Sequence, residues 1–188
     1  MKSFIPEPSV ASNPYLDRIR LVQGDLTRQD TQAIVSVLPQ NLEYKGRLNT
    51  AILAAAGEKL DEFVLENIFK PRPGDIYAVP GFNLPARHIF FCILPKWQSS
   101  FDREEKYLVN VSRKAMELAR SMCLRSVAFP LLAAGKDGYP EAKAARLIVQ
   151  GITERLDDSI EDVRLVCPEA GTLSLFQERL KAAGWKKA

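Results

Sequence analysis

Apolar residues come along this chain in two rhythms that alternate. Short runs rich in valine, isoleucine and phenylalanine, at residues 19–22, 33–38, 75–79, 88–94, 126–132 and 163–167, have the length and composition of strands. Elsewhere apolar positions fall three and four apart, which predicts helices over 49–69, 103–124, 140–157 and 172–183. In the 103–124 segment Leu108, Val111, Ala115, Leu118, Ala119 and Met122 form the inward stripe and leave Lys106, Arg113, Lys114, Glu117 and Arg120 to solvent. In the last helix Leu173, Phe176 and Leu180 play that part, with Thr172 as N-cap. Strands alternating with helices predict an α/β fold, a mostly parallel sheet covered on both faces. No repeat or linker breaks the series, so residues 18–188 read as one domain. Residues 1–17, rich in Pro and Ser, read as an arm that packs on the domain or stays mobile.

Three junctions carry chemistry. From Phe129 and Pro130 the chain runs through Ala133, Ala134, Gly135, Lys136, Asp137 and Gly138 to Tyr139 and Pro140, a strand emptying through a glycine loop into a helix. Pro140 suits the first helical turn, and the amides and dipole at a helix start favour an anion. Residues 36–48 follow the second strand and hold Asn41, Lys45, Gly46, Arg47 and Leu48, a basic loop that either grips a phosphate or is solvated charge. Strand ends on one edge of a parallel sheet converge, which brings Lys136 toward this loop. Gly24, Asp25, Leu26 and Thr27 follow the first strand. Here the carboxylate either accepts from an exocyclic amine such as that of adenine or caps a turn.

Composition narrows the classes. With 188 residues, 46% hydrophobic and 26% charged, the chain supports one large core, and a net charge of +3 does not demand a nucleic-acid partner. Cys92, Cys123 and Cys167 lack metal or redox spacing and read as buried free thiols, which points to a reducing, cytoplasmic compartment. Pro6, Glu7 and Pro8 interrupt any signal-type apolar run, and no stretch approaches the roughly 20 residues that span a bilayer. His88 is the single histidine, a structural or surface residue, so histidine-based triads and metal sites are poorly supplied. No metal and no cofactor are expected. Trp97 either packs over the core rim or stacks on a base, and Gly184, Trp185, Lys186, Lys187 and Ala188 read as a basic tail.

Taken together these motifs resemble the macro domain family, the ADP-ribose-binding α/β/α modules, over residues 18–180. The family's Gly-Asp-[Ile/Leu]-Thr motif is matched by Gly24-Asp25-Leu26-Thr27, its Asn-Ala-Ala-Asn by Ser36 to Pro39, and its glycine loop by Lys45-Gly46-Arg47-Leu48 before Ala51-Ile52. Gly74, Gly81-Phe82-Asn83-Leu84-Pro85 and the stretch from Phe129-Pro130 to Gly138-Tyr139-Pro140 complete the match. The resemblance implies a three-layer α/β/α fold with a mixed, mainly parallel six-stranded sheet and ADP-ribose across the strand ends. It implies that Asp25 and the Leu26 amide meet adenine. It places Asn41, Lys45, Gly46, Arg47 and Leu48 beside the distal ribose, and Ala133, Ala134, Gly135, Lys136, Asp137, Gly138 and Tyr139 around the diphosphate.

The departures fall where the family's chemistry happens. Pro39 stands for an asparagine that contacts the distal ribose in hydrolytic members, and Asn49, the one candidate catalytic position, stands where they often have Asp. Asn cannot act as a general base. Lys45 and Arg47 replace glycines, Ala133 and Ala134 replace hydroxyl residues, Phe91 replaces a strand histidine, and Pro168 replaces an aromatic near adenine. The expectation is a divergent macro domain that binds ADP-ribose or a related phosphate-containing nucleotide, free or on an ADP-ribosylated protein, with weak or no hydrolysis. The alternatives are a hydrolase of ADP-ribose linkages and an RNA-binding or protein-interaction module with a degenerate pocket.

Overall fold

A computed structural model of the chain describes residues 13–95, 102–134 and 138–186. The strands are β1 (Ile19–Gln23), β2 (Ala33–Leu38), β3 (Ile76–Pro80), β4 (His88–Ile93), β5 (Ser126–Phe129) and β6 (Asp162–Cys167). The helices are α1 (Gly46–Ala56), α2 (Lys59–Asn67), α3 (Asp102–Ser121), α4 (Glu141–Thr153) and α5 (Ala170–Ala182). They form one six-stranded sheet in the order β1-β6-β5-β2-β4-β3, parallel throughout except that β3 runs antiparallel to β4. Parallel pairs need crossover connections, and those helices bury both faces of the sheet.

β2 sits in the middle, and alternation along it divides the core. Ile34 and Leu38 pack with Ile52, Leu60, Val64 and Phe91 on the α1–α2 side, whereas Ala33 and Val35 pack with Leu108, Val111, Ala115 and Phe176 on the α3–α4–α5 side. The predicted stripes of α3 and α5 therefore face inward, and the three-layer α/β/α reading holds. On the second side the helices come unusually close. A Cβ on Gly151 of α4 would stand 2.5 Å from the Val109 carbonyl oxygen and 2.6 Å from Ser112 Cβ, both on α3.

Several boundaries differ from the sequence reading. The single helix expected over 49–69 is two, because Gly57 at φ 95° terminates α1 and the chain restarts in α2. β5 ends at Phe129 rather than 132, since Pro130 has no amide for the ladder and Ala133 takes φ 58°. Pro140 lies just outside α4, and α5 starts at Ala170 without any capping side chain, so Thr172 is not its cap. Trp185 is no tail residue: it is 6% exposed and its Nε1 donates to the Ile19 carbonyl at 3.1 Å, sealing the edge beside β1. Cys92 and Cys167 are buried as expected, but Cys123 is exposed at φ 56° just beyond α3. Trp97 and Lys187 lie outside the described residues.

The described end of the arm packs rather than trails. Asn13 Nδ2 donates to the Thr153 and Leu156 carbonyls at 2.9 and 2.7 Å, closing the C-terminal end of α4. Residues 1–12 of the arm lie outside the description. At the amino edge of the sheet Asp162 accepts from Arg20 Nη2 at 2.5 Å and from Arg164 Nη2 at 2.9 Å, and Arg164 reaches Asp30 at 2.7 Å. Burial pushes the Asp162 carboxyl up, but the two guanidiniums outweigh it and hold it below the usual carboxylate range.

Two outcomes follow from this packing. Gly151→Ala is expected to push α3 and α4 apart and lower stability by about 1–3 kcal/mol in urea unfolding. A depressed carboxylate contributes stability above its unfolded pKa of about 3.9 that is lost as pH falls through the folded value. Asp162→Asn is therefore expected to lower stability at pH 7 and to flatten the loss of stability on acidification, measured by urea melts across pH.

Candidate functional site

All the parallel strands end on one edge of the sheet, and the loops leaving that edge contain the described candidate residues. After β1 the Gly24 amide donates to the Cys167 carbonyl at 2.9 Å, and Asp25 then caps a short 3-10 turn, Leu26–Arg28. Its Oδ1 accepts from the Thr27 amide at 2.8 Å and the Thr27 hydroxyl at 2.7 Å. Its Oδ2 lies 3.9 Å from Arg28 Nε in a loose, solvent-exposed ion pair, and the side chain remains 52% exposed on the site edge. Capping serves the Thr27 N–H and leaves that of Leu26, at the same turn start, as a donor with no intrahelical partner. Both readings of this motif, cap and ligand acceptor, are thus compatible in one carboxylate.

After β2 the chain turns at Pro39, with Leu42 N on Pro39 O at 2.9 Å and Leu42 at φ 59°. Asn41 is exposed and its Oδ1 takes the Glu43 amide at 3.3 Å. Lys45 pairs with Glu43 at 2.5 Å, holding that carboxyl below its usual range, so this cation is engaged within its own loop. Gly46 opens α1 at φ 81° with no atom near its absent Cβ, a backbone any other residue would strain. No side chain caps α1, which leaves its first amides at the site edge. Arg47 is exposed without a carboxylate partner among the described residues, while Leu48 is half-buried.

Asn49 turns toward the central strand. It is 8% exposed, its Oδ1 accepts from the Ser36 hydroxyl at 2.7 Å and its Nδ2 donates to the Val37 carbonyl at 2.6 Å. That closes its donor and acceptor on β2 and fastens the first turn of α1 to the central strand. Sequence reasoning missed Tyr44, whose ring meets Phe91 edge-on at 6.2 Å and whose hydroxyl is buried without a partner. An aromatic between Glu43 and Lys45 in an otherwise polar loop was the available signal.

After β5 the wall is held from beneath. The Tyr139 amide donates to the Ala133 carbonyl at 3.0 Å, Tyr139 bridges Ala134, and its hydroxyl donates to the Glu104 carbonyl at 2.6 Å. At 2% exposure Tyr139 is an anchor in the core, and burial together with Glu104 and Glu105 pushes its hydroxyl pKa up. Ala133, Ala134 and Gly138 are half-buried at the edge, and Gly135, Lys136 and Asp137 lie outside the described residues. Pro168 after β6 is exposed, and Phe91 is fully buried.

Other chemistry is sparse among the described residues. No cluster of His, Cys, Asp and Glu suits a metal. Burial pushes the Cys92 and Cys167 thiols up to about 12, which removes them as nucleophiles. His88 is half-buried at the start of β4, on the opposite edge. A groove of about 770 Å³ runs between α3 and α4, but its Arg113 and Arg146 are neutralised by Glu154 and Glu105. No helix among the described residues is long and apolar enough to cross a membrane.

A mixed, mainly parallel six-stranded sheet between two helical layers defines a three-layer α/β/α domain. The family model "Macro domain" matches residues 37–148, and the chain belongs to the macro domain family. A macro domain-containing protein of Xanthomonas axonopodis is 38% identical over 87% of this chain and 95% of its own. A Cronobacter turicensis protein named O-acetyl-ADP-ribose deacetylase is 31% identical over 87% of this chain and 96% of its own. The Oceanobacillus iheyensis macrodomain with ADP superposes with a TM-score of 0.80 at 31% identity, covering 87% of this chain and 90% of that one. A point mutant of that macrodomain was solved with ADPR.

The Asn49 tether yields a direct measurement. Ser36→Ala strands the Asn49 oxygen and Asn49→Ala strands the Val37 carbonyl, each expected to cost about 1–3 kcal/mol in urea unfolding. The double variant is expected to cost less than the sum, with a coupling of at least about 0.5 kcal/mol. Strict additivity would mean that the bond contributes nothing.

Proposed function

We propose that this chain binds ADP-ribose, or a nucleotide sharing its adenine and diphosphate, across the carboxyl ends of β1, β2, β5 and β6, with little or no hydrolysis. The observation that carries the binding is that α1 and α4 start on this edge without side-chain caps and that the Leu26 N–H has no intrahelical partner beside the half-exposed Asp25 carboxylate. On this reading the exposed Asp25 Oδ2, held only loosely by Arg28 at 3.9 Å, takes the adenine amine with the Leu26 N–H beside it. Asn41, Lys45, Gly46, Arg47 and Leu48 border the distal ribose. Ala133, Ala134 and Gly138, with Gly135, Lys136 and Asp137, receive the diphosphate over the Tyr139 anchor. The ligand is free or carried on an ADP-ribosylated protein, in a cytoplasmic setting that keeps the free cysteines reduced.

The lack of turnover rests on Asn49 and Pro39. Asn49 has no basic lone pair to activate water and is closed on Ser36 and Val37, and Pro39 offers the ribose no side-chain hydrogen bond. One finding favours a second reading, the hydrolysis of an ADP-ribose ester: the relative named O-acetyl-ADP-ribose deacetylase.

Calorimetric titration is expected to show binding of ADP-ribose, weakened by Asp25→Ala by roughly tenfold, about 1.4 kcal/mol. O-acetyl-ADP-ribose incubated with the protein is expected to decay no faster than in buffer. Absence of binding to ADP-ribose and ADP removes the nucleotide reading, and turnover above the buffer rate replaces binding alone with hydrolysis.

A further inference from the structure

The nucleotide reading leaves unused a second surface on the same edge. Past the end of α2 the chain runs through Ile68, Phe69, Lys70, Pro71 and Arg72. Ile68 and Pro71 are buried and hold this segment to the domain, while the residues between and beside them turn outward. Phe69 is 73% exposed and Leu65, one turn earlier, 57%. Lys70 and Arg72 are exposed and their charged groups form no ion pair among the described residues, although the Arg72 amide donates to the Asp75 carboxylate at 2.8 Å. Several arginines elsewhere are paired, Arg20 and Arg164 with Asp162, Arg113 with Glu154, Arg120 with Asp157 and Arg125 with Glu161, whereas Lys70 and Arg72 stand together beside two exposed apolar side chains. The segment abuts the proposed ribose loop, since Gln40 Nε2 donates to the Pro71 carbonyl at 3.3 Å and the Gly74 amide donates to Ile93 at the end of β4 at 2.7 Å.

We propose that Leu65, Phe69, Lys70 and Arg72 dock the macromolecule that carries the nucleotide, and that it is a protein segment with acidic residues beside an apolar one. The proposal rests on the nucleotide-binding reading. Unpaired cations attract carboxylates and phosphates alike, so the charge of Lys70 and Arg72 alone leaves the class open. The neighbours decide it. Glu62 is exposed three residues before Leu65 on the same helical face and Glu66 is exposed four residues after Glu62, and these carboxylates repel a phosphate backbone laid across Leu65 and Phe69. A peptide meets that face with an apolar side chain and gains burial there, while its acidic residues reach Lys70 and Arg72.

Calorimetry with three probes separates the outcomes: free ADP-ribose, a synthetic peptide mono-ADP-ribosylated on a glutamate flanked by Asp and Leu, and a single-stranded DNA oligonucleotide bearing ADP-ribose on its terminal phosphate. Wild type is expected to bind the peptide at least tenfold more tightly than free ADP-ribose. The Phe69→Ser/Arg72→Glu double variant is expected to lose that gain and keep its affinity for free ADP-ribose within twofold, which also reports that it is folded. Lys70→Gly suits the backbone at φ 47° and is expected to lower peptide affinity severalfold. Equal binding of peptide and free ADP-ribose by wild type overturns the docking surface and leaves the nucleotide reading standing. A larger gain with the oligonucleotide overturns the protein assignment, equal losses for both ligands in the double variant overturn the surface, and a wild type that binds no probe overturns the nucleotide reading itself.

Discussion

Asn49 holds the first turn of α1 against the end of the central strand, with its carbonyl oxygen on the Ser36 hydroxyl and its amide on the Val37 carbonyl. Ser36 is buried and Val37 half-buried, so the tether matters less for what each bond adds than for what breaking one would leave unpaired. From that fixed point Gly46 must enter the helix at φ 81°, and the loop 39–45 must close over Tyr44 and Phe91. An ionised aspartate could accept from Ser36 but would face the Val37 carbonyl with a second acceptor. One residue therefore positions the proposed ribose loop and withholds a general base from it.

The joined ion pairs and the proposed binding surface occupy opposite edges of the sheet. At the amino edge Asp162, Arg20, Arg164 and Asp30 form a joined ion-pair network, and Arg125 pairs with Glu161. At the carboxyl edge Asp25 spends one oxygen on capping and holds Arg28 only loosely with the other, three helices start without side-chain caps, and the charged groups of Arg47, Lys70 and Arg72 form no ion pair among the described residues. Uncapped helix starts and unpaired cations add little to folding, and where they meet on this edge they favour an anionic ligand of the kind proposed.

Much of this was legible because periodicity reports burial. The β2 boundaries, the α3 stripe and the Phe176–Leu180 face follow from spacing, since β2 is buried on both faces and the helices on one. The direction of β3 was not legible from the apolar pattern, because strand order and orientation are set by connections and not by which residues are apolar. Trp185 escaped because its partner, the Ile19 carbonyl, lies at the far end of the chain, and basic neighbours disguised a core residue as tail. The motif positions were legible as places and less so as roles. Tyr139 belongs to the glycine loop in sequence, yet its hydroxyl answers to Glu104 on α3, and Lys45 is held by Glu43 two residues before it.

Binding without turnover is physically coherent on this edge. The contacts proposed for adenine and diphosphate come largely from backbone amides and one carboxylate, which substitutions in neighbouring side chains leave in place. Proline at position 39 removes at most a ribose contact, and each hydrogen bond lost with its partner left unpaired costs roughly 1–3 kcal/mol, about ten- to hundredfold in affinity. Rate depends on different groups: a base or a positioned water must be stabilised more in the transition state than in the bound complex. A site that keeps its backbone cradle while its one polar candidate, Asn49, is sealed into the fold loses the second property before the first. The separation is local, because the tether that buries Asn49 also holds the start of α1, the amide end proposed to border the ligand.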